Sequence, residues 1–169
     1  MDLILWRHAE AVDEANEDLG IDLARPLTPK GEKQAARMAD WLNRFLPDST
    51  RIFVSPAQRC QQTAQALGRK FQTREPLGPQ HSAADLLTLV RWPDRREPVL
   101  VVGHQPTLGM VAAMLMAGPE ASAAAAHEAP AHATPSWSVR KGAVWWLRHR
   151  ERNGVAEVVL VSVRSPDNL

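Results

Sequence analysis

Leu3-Ile4-Leu5-Trp6-Arg7-His8-Ala9-Glu10 is the stretch on which the reading of this chain turns. An apolar run near the start of the chain that ends abruptly in Arg-His reads as a buried strand whose last residues emerge at a sheet edge. In open α/β sheets ligands bind at the carboxyl edge of the strands. A cation and an imidazole at that edge raise the question of what else the chain brings there.

Strand-to-helix junctions recur downstream. Ala9 to Arg25 is acidic and irregular, which predicts a surface loop with at most one helical turn. Thr28 then offers a capping hydroxyl and Pro29 fills the first helical position, where its missing N–H does no harm. The helix that follows carries Ala35, Met38, Leu42 and Phe45 on one face and stops at Pro47. Arg51 to Val54 is a short strand, and Ser55-Pro56 repeats the Ser/Thr-Pro start of a helix that turns Ala57, Cys60, Ala64 and Leu67 inward. Thr73 to Pro79 reads as a short strand or extended edge, and Ser82-Ala83-Ala84-Asp85 as a capping box opening a helix to about Val90. Pro98 to Gly103 is the clearest buried strand; it ends in His104-Gln105-Pro106 before an apolar helix through Met116. Residues 117–136, rich in Ala and Pro, read as a helix end and a flexible loop. Two strands close the chain, Lys141 to Leu147 and Ala156 to Val163, with Asn153-Gly154 between them as a hairpin signal. The predicted architecture is a single compact α/β domain over residues 1–169. It is a three-layer α/β/α sandwich with a mostly parallel central sheet of about six strands, one of them antiparallel.

Composition narrows the function. The chain has 169 residues, long enough to bury a proper core. No apolar stretch is long enough for a membrane span and no leader pattern is present, so the default expectation is a cytoplasmic protein with no membrane partner. A single cysteine, Cys60, excludes an internal disulfide and suits a reducing compartment. Twenty basic residues against 19 acidic argue against nonspecific nucleic-acid binding. The six Trp with no Tyr have no functional account.

Four residues on three junctions share one edge. Arg7 and His8 leave the first strand, Arg59 lies on the first turn of the helix after the second, and His104 leaves the fourth. Taken singly, each has an ordinary explanation, a surface arginine or a satisfied core histidine. Together, two guanidiniums, two imidazoles and the open N–H groups of helix starts make a pocket for a phosphate, not a cation. A metal site built from His8 and His104 is disfavoured, because arginines and no carboxylate accompany them. His127, His132 and His149 stay outside this set.

These residues resemble the histidine phosphatase (phosphoglycerate mutase-like) superfamily, whose signature is Arg-His-Gly after the first strand. Here Arg7-His8-Ala9 stands for it. Leu27-Thr28-Pro29-Lys30-Gly31 is similar to the family's Leu-Thr-x-x-Gly helix start, Ser55 to Ala64 to its Ser-x-x-x-Arg-x-x-x-Thr-Ala helix, and Gly103-His104 to its Gly-His motif. The short span between Phe71 and the fourth strand leaves no room for the helical lid of larger members. The Arg25-Pro26-Leu27-Thr28 lead-in resembles the SixA branch of phosphohistidine phosphatases. The resemblance implies a metal-independent hydrolase needing no cofactor, with His8 as nucleophile through either ring nitrogen and with Arg7, Arg59 and His104 binding the phosphoryl oxygens. Its implied substrate is a phosphohistidine-bearing protein. A phosphatase of a small phosphorylated metabolite and a silent phosphate-binding adaptor are the alternatives.

Two departures matter. Ala9 replaces the signature glycine; at positive φ it would cost about 1 kcal/mol, so the position is expected to demand smallness. Many members supply an acid between the second helix and the fourth strand, and no convincing carboxylate occurs there. Glu75 precedes Pro76, and Asp85 belongs to a capping box. Glu10, Arg25 and His81 are accessory candidates, His81 as a substitute for the missing acid. Weak acid catalysis favours a P–N substrate, whose imidazole leaving group is basic enough to acquire its own proton.

Overall fold

The computed structural model describes residues 1–13, 18–128 and 136–169, and of residues 119–128 the backbone alone. Parts of two predicted loops, residues 14–17 and residues 129–135 with His132, lie outside the described residues. The elements are β1 (Asp2–Arg7), α1 (Leu19–Leu23), α2 (Pro29–Phe45), β2 (Arg51–Val54), α3 (Gln58–Gln65) and β3 (Gln72–Thr73). After a 3-10 turn at Glu75–Leu77 come α4 (Ala83–Val90), β4 (Val99–Gly103), α5 (Thr107–Glu128), β5 (Val144–Arg152) and β6 (Val155–Arg164).

Strand periodicity builds the layers. Successive side chains of a strand face opposite sides. Ile4, Trp6, Ile52, Val54, Leu100 and Val102 therefore pack under Met38, Leu42, Cys60 and Ala64 of α2 and α3. Leu3, Leu5, Phe53, Val99 and Val101 pack on the other face under α4 and α5, against Leu86, Val90, Leu108 and Val111. The strand order is β3-β2-β4-β1-β5-β6. β3, β2, β4 and β1 are parallel, and β5 runs antiparallel to both β1 and β6. The expected α/β/α sandwich with one reversed strand is the observed fold. Among the described residues, no helix is long and apolar enough to cross a membrane.

Local chemistry sets the boundaries. Thr28 Oγ1 accepts from the Gly31 N–H at 3.0 Å and Pro29 is the first residue of α2. Ser82 and Asp85 form the expected capping box. Asn153 (φ 53°) and Gly154 (φ 75°) both take the left-handed conformation that a tight hairpin turn asks for. The helical turn allowed in the acidic loop is present, while several other boundaries differ, β5 running on to Arg152 among them. Phe45, expected inside, is 57% exposed at the last residue of α2, its ring tilted against Trp41 at 5.2 Å between ring centroids. α3 starts at Gln58, later than Ser55-Pro56 predicts, because the Ser55 hydroxyl is drawn to a histidine and no side chain caps the helix. The acidic loop forms α1, capped by Asp18 Oδ1 on the Gly20 and Ile21 N–H groups. α5 continues past Met116, broken at Gly118 (φ 83°), to Glu128, in keeping with the high helix propensity of its alanine run.

The first turn of α2 is clamped to the loop that leaves β1. Thr28 N–H donates to the Glu10 carbonyl at 3.0 Å, and Glu10 N–H donates to Gln34 Oε1 at 3.0 Å. A Cβ on Gly31 would run into the Glu10 carbonyl. Helix propensity alone would make Gly31→Ala stabilising by about 1 kcal/mol. The collision reverses the sign: urea unfolding of Gly31→Ala is expected to show a loss of about 1–3 kcal/mol.

Candidate active site

The parallel ladders put the three junctions side by side. Arg7 pairs with Gly103, and His8 N–H donates to the Gly103 carbonyl at 3.1 Å. Val54 pairs with Val102, and Ser55 N–H donates to the Val102 carbonyl at 3.0 Å. The residues that follow β1, β4 and β2 are therefore neighbours across the sheet edge. His8 and His104 have ring centroids 5.4 Å apart, and both rings are buried with Arg59.

His8 is held in one tautomer. Its Nδ1 lies 2.7 Å from the Ala9 carbonyl, which can only accept, so Nδ1 carries the proton and Nε2 the lone pair. Ala9 is fully buried and its N–H donates to Thr63 Oγ1 at 3.1 Å, while Thr63 donates to the Arg59 carbonyl at 2.7 Å. Among the described residues, the non-glycine positive φ angles belong to Arg91 and Asn153 and not to Ala9. Smallness, not a left-handed backbone, is what this position demands.

The two guanidiniums differ in their anchors. Arg7 Nη1 donates to the Val139 carbonyl at 2.7 Å. Arg59 Nη1 donates to the Asp22 carbonyl at 2.6 Å, and Nη2 reaches Asp22 Oδ2 at 2.9 Å and His104 Nδ1 at 3.3 Å. The Nε–H groups of Arg7 and Arg59 are both buried without a hydrogen-bond partner among the described residues. Buried N–H groups are rarely left so, and an anion is their natural complement.

Burial dominates the titration of the imidazoles. It pushes the pKa of His8 well below its ordinary value; the Ala9 bond works against this, and the charges of His104, Arg59 and Arg7 add to it. His104 is pushed down to about 3, by burial first and then by the Arg59 charge. His104 is thus neutral in the free protein, accepting from Arg59 at Nδ1 and donating from Nε2 to Ser55 Oγ at 2.7 Å. Cys60 Sγ lies 3.5 Å from the same Nε2, and burial drives its pKa up to about 12, which keeps it an inert thiol.

The accessory candidates lie apart from this cluster. The Glu10 carboxylate takes Lys30 Nζ at 3.1 Å and the Thr28 hydroxyl at 3.0 Å, contacts that keep it ionised. Arg25 is forked onto Asp22 Oδ1 through Nε and Nη2, at 3.0 and 2.8 Å. His81 pairs with Asp85 at 3.6 Å and, with Glu75, Pro56 and the α1 residues Leu19 and Leu23, lines a small cavity of about 130 Å³. A larger, apolar cavity of about 400 Å³, between Leu87, Trp92, Met114 and Val158, is lined by none of the site residues. Two contributors escaped sequence reasoning. Ser55 read as a helix cap, and Asp22 is one of several acids in a loop with no local signal to single it out.

The chain is similar to several known proteins. Residues 3–81 match the histidine phosphatase superfamily (branch 1). A phosphohistidine phosphatase SixA homolog of Haemophilus influenzae is 34% identical over 131 residues, covering 68% of this chain and 77% of the relative. The SixA-type chain from Nakamurella multipartitia superposes with a TM-score of 0.71 at 27% identity, covering 98% of this chain and 95% of that one. The protein histidine phosphatase SixA complexed with tungstate superposes at 0.67 with 25% identity, covering 99% of each chain.

Two neutral buried histidines link stability to acidity. Unfolding returns each to an ordinary pKa of about 6.5, so below that pH the unfolded chain binds more protons than the folded one. The stabilisation is complete above about pH 6.5 and is lost as pH falls toward the depressed folded values, by about 1.4 kcal/mol per pH unit per histidine. Proton uptake on urea unfolding is expected to rise from about one at pH 6.5 toward about two at pH 5.5, and His104→Asn to remove about half of it.

Proposed function

This chain belongs to the histidine phosphatase superfamily, in its SixA-type branch, and is a phosphatase; we propose that its substrate is phosphohistidine on a protein, hydrolysed without a metal through a phosphohistidine on His8. The observation that carries the proposal is the Nδ1–H bond to the Ala9 carbonyl. It leaves Nε2 as the nucleophilic nitrogen, neutral at working pH and acted on by the charges of the buried Arg59 and the half-buried Arg7. Nε2 attacks phosphorus in line, the leaving group departs, and water then hydrolyses the phosphoenzyme. The Nε–H groups of Arg7 and Arg59 bind the equatorial oxygens and offset their charge, which is most of what phosphoryl transfer asks of a protein. A dianion beside His104 favours its cationic form, in which Nδ1 gives up the contact from Arg59 Nη2 and donates to a phosphoryl oxygen instead.

The leaving group argues for a P–N bond. A phosphate monoester releases an alkoxide that needs a proton from the enzyme, whereas an imidazole acquires its own. Asp22, the carboxylate that reaches the cluster, is no donor. Partial burial raises its pKa, but hydrogen bonds from Arg25 and Arg59 outweigh this and keep it ionised. Tungstate, bound in the SixA structure, is a tetrahedral oxyanion of the kind these donors suit. The single cysteine fits a cytoplasmic setting.

Labelled phosphate is expected to be trapped on the wild-type protein and not on His8→Ala, which also loses turnover; full activity in that variant would end the proposal. Arg59→Ala should lower kcat about 10²-fold or more. A phosphohistidine peptide is expected to be hydrolysed in preference to sugar phosphates, and the reverse preference would move the assignment to a small phosphoester.

A further inference from the structure

Arg59 is gripped by its far end. Its two terminal nitrogens are taken by one residue, Nη1 by the Asp22 carbonyl at 2.6 Å and Nη2 by Asp22 Oδ2 at 2.9 Å, with Nη2 also meeting His104 Nδ1 at 3.3 Å. The guanidinium is a rigid plane of five donors, so fixing both terminal nitrogens decides where Nε–H points. That Nε–H is buried and has no partner among the described residues. Asp22 is itself braced: Oδ1 takes Nε and Nη2 of Arg25 at 3.0 and 2.8 Å, and Arg25 Nη1 donates to the Val12 carbonyl at 2.9 Å. The helix that carries Asp22 has five residues and none of them is buried, so apolar packing does not account for its seat over Arg59. The polar contacts of Asp22 do.

We propose that Asp22 is the positioning residue of the phosphate site: it holds Arg59 by its terminal nitrogens so that the Nε–H edge is presented to the phosphoryl group on His8. The inference rests on the phosphatase reading above and adds a residue that touches neither substrate nor nucleophile. It has a second consequence that follows from charge. A carboxylate within hydrogen-bond distance of Arg59 offsets part of the positive field that draws in an oxyanion. Asp22 therefore aligns the arginine for the transition state while weakening capture of the free anion. Removing its charge should move the two quantities in opposite directions, whereas a merely structural role would degrade both.

Asp22→Asn keeps the backbone carbonyl contact and the side-chain shape and removes the charge. Calorimetric titration with tungstate and with inorganic phosphate is expected to show several-fold tighter binding than in the wild type, while kcat on a phosphohistidine peptide falls about ten-fold or more. Asp22→Glu should recover part of the lost kcat. In an Arg59→Ala background, Asp22→Asn should have almost no further effect on kcat, the coupling expected when one residue acts through the other. Unchanged kcat, oxyanion affinity that weakens or stays at the wild-type value, or additive losses in the double variant would overturn the proposal. The oxyanion titration needs no turnover, so its failure is distinguishable from failure of the phosphatase reading, which would show as a wild-type protein that forms no phosphoenzyme.

Discussion

The hydrogen-bond ladder between β1 and β4, continued by β4 and β2, is the constraint from which the site follows. Parallel pairing in the order β2-β4-β1 forces the residues just beyond each strand into contact, so His8 meets His104 and His104 meets Ser55 without any further device. A slip of one residue would also turn every strand side chain to the wrong layer. The alternating burial of Leu3, Ile4, Leu5 and Trp6 on two cores therefore protects the register that aligns the chemistry.

Placing cations beside buried imidazoles is unfavourable in the absence of counter-charge, and the structure distributes that cost. The imidazoles respond by staying neutral. Arginine cannot respond so, because its guanidinium keeps its proton. Arg7 spends one donor on a backbone carbonyl, and Arg59 is paired with Asp22. The residual positive field lies around His8, where the proposed mechanism puts the phosphoryl group that supplies the missing negative charge. One arrangement thus gives a folded protein with a tolerable electrostatic load and, on the mechanism proposed above, donors already opposed to the charge of the transition state.

Smallness is a recurring demand around His8. Ala9 packs in a small buried cluster with Ala35 of α2 and puts its N–H on Thr63 of α3, and Gly31 lets the Glu10 carbonyl approach the first turn of α2. Both positions tie the segment leaving β1 to helices from the same side of the sheet. The Nδ1 acceptor on Ala9 is therefore as well fixed as the strand itself, and with it the direction of Nε2.

Sequence alone determined the strands, their two-faced apolar patterns, the caps at Thr28 and Ser82, the Asn153-Gly154 turn and the junction residues Arg7, His8, Arg59 and His104. These are local signals, carried by neighbours a few residues apart. Tertiary structure decided the rest: which nitrogen of His8 is free, the neutrality of His104, the diversion of Ser55 from helix cap to histidine partner, and the pairing of Asp22 with Arg59. The His8 bond joins adjacent residues but depends on the path the backbone takes beyond β1; the other contacts join partners 37 to 49 residues apart, or turn on a burial that no window of sequence reports. Among the acids of one loop, only the packed chain distinguishes the carboxylate that lands on an arginine, because hydrogen bonds discriminate over tenths of an ångström and sequence spacing does not.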